Sequence, residues 1–431
     1  MAISKRSTFQ HGVHIEDMKY LSKDKSIEVM PAPERVYISL AQHIGKPAKA
    51  VVEKGDLVKK GQLIGAQDGF ISANVYASVS GVVEDIKPIV NHMGQSQLTV
   101  IIKNDGLDEE VSLEPIDQTN KEQIVKRVGE AGLVGLGGAG FPTIVKITPP
   151  NPVDILLING AECEPYLTCD HRIMLEQADA FVEGCKLMSI ALGGAKIIVG
   201  IEENKPDAID LLSSYDCLTV VPLKKKYPQG SEKQLIYACT KRKVGCGKLP
   251  ATTGVCVLNV QTVKQAYDAC KLNKPLYERV MTITGKGITE PKNLLVRNGT
   301  PYEEIIAYCG GLKEDARKIV AGGPMMGKVL PSPQGYTRKT DSGLLILAKG
   351  EANELNPTAC ISCGKCAQAC PMHLMPMYID LFTSVGDYET ANKYGAMNCF
   401  ECGTCAYVCP AKRDLVSSVQ VCKQKLREMK K

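Results

Sequence analysis

GLVGLGGAGFPT, residues 132–143, contains the spacing Gly135-x-Gly137-x-x-Gly140 that marks the pyrophosphate loop of dinucleotide-binding folds. In a Rossmann unit that loop follows a strand and opens a long helix. Here the preceding TNKEQIVKRVGEAG (119–132) has helical periodicity, and Pro142, Pro149 and Pro150 leave little room for a helix afterwards. Glu162 lies about where the ribose-binding acid of a Rossmann unit falls, but the context argues against the standard reading. Bare backbone at Gly137, Gly138 and Gly140 would still let a flat, charged cofactor lie against main-chain N–H groups.

Outward from this loop, Thr119 to about Lys271 alternates helix and strand. DILLIN (154–159), AKIIVGIEE (195–203) and LTVVPL (218–223) read as buried strands. HRIMLEQADAFVEGCKLMSIALGG (171–194) reads as one long helix ending in glycine, and KPDAIDLLSSY (205–215) and GSEKQLIYACTKRK (230–243) as shorter ones. The expectation is an α/β layer on a mainly parallel sheet. Before it, Arg35 to Lys103 holds short β-branched runs broken by glycine, a small all-β domain. After it, Arg279 to Lys328 reads strand, turn, strand, helix, and PSPQGYTRKTDSG (331–343) reads as a loop or linker.

A chain of 431 residues with 44% apolar residues can bury several cores. Its 52 basic and 47 acidic side chains leave a net charge of +5, too small a field to argue for nucleic acid. Aromatics at 5%, with no Trp, give no base-stacking platform either. No apolar run approaches the ~18 residues of a membrane span, and MAISKRSTFQ has no apolar segment of a secretory signal. A reducing compartment is therefore expected, where regular cysteine spacing points to metal rather than disulfides.

Of 18 cysteines, eight fall in CISCGKCAQACP (360–371) and CFECGTCAYVCP (399–410), each C-x2-C-x2-C-x3-C-P. Three thiolates two residues apart can each reach a different iron of one cubane, and the fourth serves the other cluster in two-cluster ferredoxins. One [4Fe-4S] cluster is thus expected on Cys360, Cys363, Cys366 and Cys409, and a second on Cys399, Cys402, Cys405 and Cys370. Zinc sites use two well-separated pairs, which this spacing does not offer. Cys163, Cys169 with His171, and Cys246 fit no standard ligand set and are expected to be buried thiols.

GLVGLGGAGFPT, followed by NGAECEPYLTCDHRIM (159–174), YPQGSEKQLI (227–236), NVQT (259–262) and AGGPMMGKVL (321–330), resembles the RnfC family of the Rnf complexes, the membrane-bound, ion-pumping ferredoxin:NAD oxidoreductases. QHIGKPAKAVV (42–52) and GFISANVYASVSG (69–81) extend the resemblance over essentially the whole chain. The middle is more distantly similar to the NADH-binding flavoprotein subunit of respiratory complex I. Both families bind non-covalent FMN and NADH on one glycine-rich platform.

The resemblance implies four parts: an N-terminal β domain of the barrel-sandwich hybrid type (1–115), an FMN/NADH-binding α/β domain (116–275), a β-grasp module with linker (276–350), and a ferredoxin-like helical domain with a basic tail (351–431). The N-terminal part is similar to biotinyl and lipoyl carriers, but its tip, QDGFISA (67–73), lacks the lysine a carrier needs, so a docking or packing role is expected. The β-grasp module is expected to bridge flavin domain and clusters.

The resemblance further implies that Gly135, Gly137, Gly138 and Gly140 form the cofactor loop, with Phe141 on the nucleotide side. Lys146, Asn159 and Glu162 match flavin-site residues, with Glu164 in the same motif; Tyr227, Gly230 and Glu232 match a second flavin and NADH segment, and Asn259 and Thr262 the segment holding the ribityl phosphate end. Leu136, Ala161, Ser231 and Leu258 depart from the complex I pattern. Taken singly, Lys146 and Glu232 read as solvated charges, Asn159 as a turn residue and Tyr227 as packing.

A hydride carries two electrons and each cluster takes one, so a flavin between them is the required converter, and no catalytic acid, base or nucleophile is called for. The implied function is the NAD(H)-reacting subunit of an Rnf-type complex, peripheral on the cytoplasmic face of the membrane against membrane and ferredoxin-like subunits. A cobalamin reductase of similar architecture and an electron-relay module without nucleotide binding are the alternatives.

Overall fold

The computed structural model describes residues 7–91, 94–352 and 356–429; residues 1–6 and the last two lysines of the basic tail lie outside the described residues. Among the described residues no helix is long and apolar enough to cross a membrane.

After β1 (Ile27–Val29), seven strands build the first β unit: β2 (Arg35–Ser39), β3 (Lys49–Ala50), β4 (Leu57–Val58), β5 (Leu63–Ala66), β6 (Val75–Tyr76), β7 (Gly81–Val90) and β8 (Ser96–Asn104). They make two antiparallel sheets, β2-β8-β7-β4 and β3-β5-β6. Val36, Ile38, Ile64, Val83, Val100 and Ile102 fill the core between them, as the period-2 alternation requires.

The α/β unit runs α1 (Lys121–Glu130), α2 (Thr143–Ile147), β9 (Ile155–Gly160), α3 (Cys169–Glu176), α4 (Ala178–Ala191), β10 (Lys196–Glu202), α5 (Pro206–Ser213), β11 (Thr219–Leu223), α6 (Glu232–Thr240), β12 (Val255–Asn259) and α7 (Val260–Lys271). The strands are all parallel, in the order β11-β10-β9-β12. Both faces of β9 are covered, which is why its sequence is a continuous apolar run. Leu156 and Ile158 pack in the core that includes Val128, Phe181, Met188 and Val263 of α1, α4 and α7. Leu157 faces Leu235 and Ile236 of α6.

Local chemistry sets the helix ends. Asn120 caps α1 by accepting the Gln123 amide at 3.0 Å. α2 is held to five residues between Pro142 at its N-cap and Thr148, which precedes Pro149. The single long helix expected over 171–194 is instead two helices, α3 and α4, separated at Gln177 (φ −128, ψ 34). The break lets α3 reach β1 and the sheet beyond while α4 packs on α7. The Glu176 carboxylate, at the end of α3, accepts the Ile27 amide of β1 at 3.0 Å.

The next sheet comprises β13 (Glu278–Thr284), β14 (Lys292–Arg297), β15 (Ala316–Ala321), β16 (Lys328–Leu330) and β17 (Gly343–Ala348), covered by α8 (Tyr302–Tyr308). Its order is β1-β14-β13-β17-β15-β16, so an N-terminal strand forms one edge. Residues 331–343 lack regular structure up to β17 but are not a free linker. Tyr336, Thr337, Lys339 and Asp341 are buried. The Lys339 ammonium donates to the carbonyls of Asn74 and Gly132, tying the β unit to the end of α1, and burial lowers it to about 7.

The C-terminal unit is helical: α9 (Lys365–Ala369), α10 (Pro376–Ser384), α11 (Tyr388–Lys393), α12 (Thr404–Tyr407) and α13 (Leu415–Glu428). Its own apolar core is small: Ile379, Ala391, Ala396, Val419, Cys422 and Leu426.

Candidate functional site

With the order β11-β10-β9-β12, the chain runs outward in one direction from β9 and returns on its other side as β12, so the topological switch point lies between these two strands. Ligands of open α/β sheets bind in the crevice outside the carboxyl ends of the strands at such a point. Asn159 is the next-to-last residue of β9 and Asn259 the last of β12, and the two are paired in register. The glycine loop reaches this crevice from α1, ahead of β9, which is the order reversal that set it apart from a Rossmann turn.

The loop is a tight hairpin. The Gly135 amide donates to the Phe141 carbonyl at 2.9 Å, and Thr143 to Leu133 at 2.9 Å. Phe141 itself is half-buried. At the tip Gly137, Gly138 and Ala139 are exposed, and a Cβ on Gly138 would meet nothing within 4 Å. Beneath them, a Cβ on Gly137 would come within 2.7 Å of Asn259 Nδ2. Asn259 caps α7 through the Gln261 amide at 2.9 Å. Thr262, in the first turn of α7, accepts the Leu136 amide at 2.9 Å and fixes the loop to the helix. Gly140 faces the β unit, its carbonyl taking the Ile44 amide at 3.4 Å. This is how the QHIGK segment borders the loop.

Lys146 of α2 pairs with Glu232 of α6 at 2.8 Å, both partly exposed, and also reaches the Val257 carbonyl at 3.2 Å. Asn159 Nδ2 donates to the Gly230 carbonyl at 2.8 Å. The structure thus gathers Gly135–Gly140, Lys146, Asn159, Gly230, Glu232, Asn259 and Thr262 at the ends of β9 and β12. Bare exposed backbone, a cation at the margin and amide side chains beneath suit a flat, anionic cofactor such as FMN.

Two expected residues turn elsewhere. Glu162 points into the protein, where Oε1 accepts the Asp170 amide at 2.7 Å and Oε2 lies 3.7 Å from Lys19 Nζ. The Tyr227 hydroxyl, on a buried side chain, donates to the Cys402 carbonyl at 2.8 Å in the cysteine-rich domain.

Sequence reading passed over a polar layer under the loop. Asp170 Oδ2 accepts Asn259 Nδ2 at 2.6 Å, and burial, with Glu162 beside it, raises its carboxyl to about 7. Arg279, fully buried, donates to the Lys339 carbonyl at 2.6 Å and to that of Leu136 at 3.3 Å. Lys205 holds the Ala161 carbonyl at 2.7 Å. A charged residue within an apolar strand, as Arg279 is at the start of β13, was the signal available for it. Of the scattered cysteines, Cys169 is buried as expected. Its sulfur and the carboxylates of Glu162 and Asp170 lie within 4.8 Å of one another. Cys163 is half-buried, and Cys246 is exposed in the irregular 241–249 segment between α6 and β12.

The eight motif cysteines line two separate pockets. One is lined by Cys370, Cys399, Cys402 and Cys405 with Pro371, Ile379 and Val419. The other is lined by Cys360, Cys363, Cys366 and Cys409 with Met377 and Leu415. Each set takes its fourth cysteine from the other motif, because α9 and α12 pack side by side. Four thiols around an apolar pocket are the donor set of a cubane cluster.

The first pocket abuts the α/β unit. Besides the Tyr227 contact, Gln234 Nε2 donates to the Pro371 carbonyl at 2.9 Å. The second opens outward, with Cys360, Ile361 and Cys363 exposed. Residues 322–327 reach the first pocket too: Met325 packs against the apolar cluster of Val13, Tyr227, Ala369 and Cys402. Glu164 accepts the Met325 and Met326 amides at 3.1 and 2.9 Å, and burial raises its carboxyl to about 7.

Family models match the chain in the order of these units. An RnfC barrel sandwich hybrid domain covers residues 7–107, a Nuo51 FMN-binding domain 128–268, an SLBB domain 280–329 and a 4Fe-4S dicluster domain 359–412. The chain is 46% identical to the C component of the proton-translocating ferredoxin:NAD(+) oxidoreductase complex of Clostridium ljungdahlii, over 97% of this chain and 94% of that one. It is 43% identical to the C component of the Na(+)-translocating ferredoxin:NAD(+) oxidoreductase complex of Acetobacterium woodii, over 98% of both. In fold it is similar to an NAD+-reducing [NiFe]-hydrogenase in the H2-reduced state, at a TM-score of 0.51 and 16% identity, over 72% of this chain and 63% of that one. With its glycine platform at the switch point and its paired cysteine pockets, the chain belongs to the RnfC family of the ion-translocating ferredoxin:NAD oxidoreductase complexes, the Rnf complexes, and is an electron-transfer subunit that binds FMN and [4Fe-4S] centres.

Proposed function

We propose that the chain is the NAD(H)-reacting subunit of an Rnf-type ion-pumping complex, passing electrons between NADH, FMN and two [4Fe-4S] clusters. The observation that carries the reading is the contact of one cysteine pocket with the glycine platform's own domain, through Tyr227 and Gln234, while the other pocket faces outward.

When bound, FMN supplies the exchange between a hydride and single electrons. The chain's residues hold, orient and insulate. The exposed backbone of Gly137, Gly138 and Ala139 would border FMN, and Asn259 and Thr262 brace that loop from below. Lys146 offers positive charge at the edge and is itself kept in place by Glu232. Phe141, beside the platform, supports the nicotinamide side. Cys370, Cys399, Cys402 and Cys405 would hold the proximal cluster, and Cys360, Cys363, Cys366 and Cys409 the distal one, whose exposed edge is the exit to a partner protein.

A peripheral position on the cytoplasmic face, against membrane and ferredoxin-like subunits, completes the proposal. Two relatives of nearly equal similarity are named for different ions, protons and Na(+), so the ion is not set by what this chain shares with both. The test is iron, sulfide and flavin per purified chain, measured on wild type and on Cys409→Ser. About eight irons and one FMN are expected for wild type, with Cys409→Ser losing the signal of the outward cluster. Loss confined to the proximal cluster, or eight irons with no flavin, would overturn it.

A further inference from the structure

The loop 322–327 packs beside the proximal cysteine pocket, and its position is set from the α/β unit. Met325 packs against the apolar cluster of Val13, Tyr227, Ala369 and Cys402, which Cys163 and Phe400 also border. Its carbonyl would lie 2.8 Å from a Cβ on Gly403, a residue at φ +80 between the ligands Cys402 and Cys405, so loop and cysteine turn are in close backbone contact. Glu164, four residues past the end of β9, uses both carboxylate oxygens on this loop: Oε2 takes the Met325 amide at 3.1 Å and Oε1 the Met326 amide at 2.9 Å. Gly323 makes room for it, since a Cβ there would fall 2.3 Å from Oε2. A carboxylate on two successive amides is a short, directional clamp.

We propose that Glu164 is a positioning residue for electron transfer: by clamping the Met325–Met326 backbone it fixes the spacing between the flavin platform and the proximal cluster. It takes no part in accepting the hydride. The inference rests on the function proposed above. Each NADH that becomes NAD+ and H+ releases two electrons, one for each cluster, and both must pass the contact between the α/β unit and the proximal pocket, which Met325 borders together with Tyr227. The β-grasp module then acts as a spacer whose register is set by a side chain of its neighbour.

The experiment mixes NADH anaerobically with the cofactor-loaded full chain, following flavin bleaching and cluster reduction separately, and measures hydrogen exchange at residues 322–327. In Glu164→Ala, bleaching should stay within about twofold of wild type while cluster reduction slows roughly tenfold, the sensitivity expected of a displaced reacting pair. The Met325 and Met326 amides should exchange faster. Glu164→Gln, which keeps an oxygen acceptor for one amide, should fall between. If Glu164→Ala loses its cofactors, Met325→Ala loosens the same contact from the other side and should give the same split. Equal slowing of both steps, or unchanged cluster reduction despite faster exchange, would overturn the clamp. An unbleached wild-type flavin would instead sink the functional reading, leaving the exchange data to judge the clamp.

Discussion

Asp170 shows how a residue with no evident motif comes to matter. It sits under the platform, bonded to Asn259, and burial together with Glu162 raises its carboxyl from 3.8 to about 7. Its proton is held more tightly in the folded chain than in the unfolded one, so stability from this group is full below about pH 4 and falls as pH rises towards 7. Asp170→Asn keeps an oxygen for Asn259 and removes the charge. Its Tm should match wild type near pH 4 and exceed it by roughly 2–4 °C at pH 8, for a gain of about 1 kcal/mol; thermal unfolding at the two pH values checks this. Gly137 is the complementary case. An alanine there would press on Asn259 Nδ2 at 2.7 Å, at a cost of about 1–3 kcal/mol. FMN affinity should fall roughly tenfold or more while the iron content of the chain is unchanged; flavin titration and iron assay together measure it.

The elements differed in how far the sequence disclosed them. β9 was legible because a strand covered on both faces reads as an uninterrupted apolar run, and α1 because Asn120 and the spacing of Ile124 and Val128 mark its start and buried face. The break at Gln177 was not, since no proline or glycine stands there and the cause is tertiary: α3 must meet β1 and α4 must meet α7. Residues 331–343 read as a linker because proline and polar residues dominate them; the burial of Lys339 depends on the carbonyls of Asn74 and Gly132, more than 200 residues away. The cysteine sets were read from local spacing, with the crossing taken from two-cluster ferredoxins, and the two pockets are lined by those same sets. The same helices carry a small apolar core, so metal ligation should supply much of their stability. Removing iron with a chelator should unfold α10 and α13 while the parallel sheet stays intact, seen as loss of exchange protection confined to residues 356–429.

At the scale of the whole molecule, the units are interlocked rather than strung in line. The N-terminal segment pairs Val13 with Tyr227 and bonds Gly12 to Ala369, β1 edges the β-grasp sheet, and Lys339 joins three units. Platform, proximal pocket and outward pocket then follow one another along the proposed electron path. That order is the central claim, and anaerobic rapid mixing of the purified full chain with NADH tests it most directly. Flavin bleaching should come first, followed by the cluster of Cys370, Cys399, Cys402 and Cys405, then by that of Cys360, Cys363, Cys366 and Cys409, with Cys409→Ser leaving the first two phases in place. A chain with eight irons whose flavin is absent or unchanged by NADH, or one in which the outward cluster is reduced first, would contradict it.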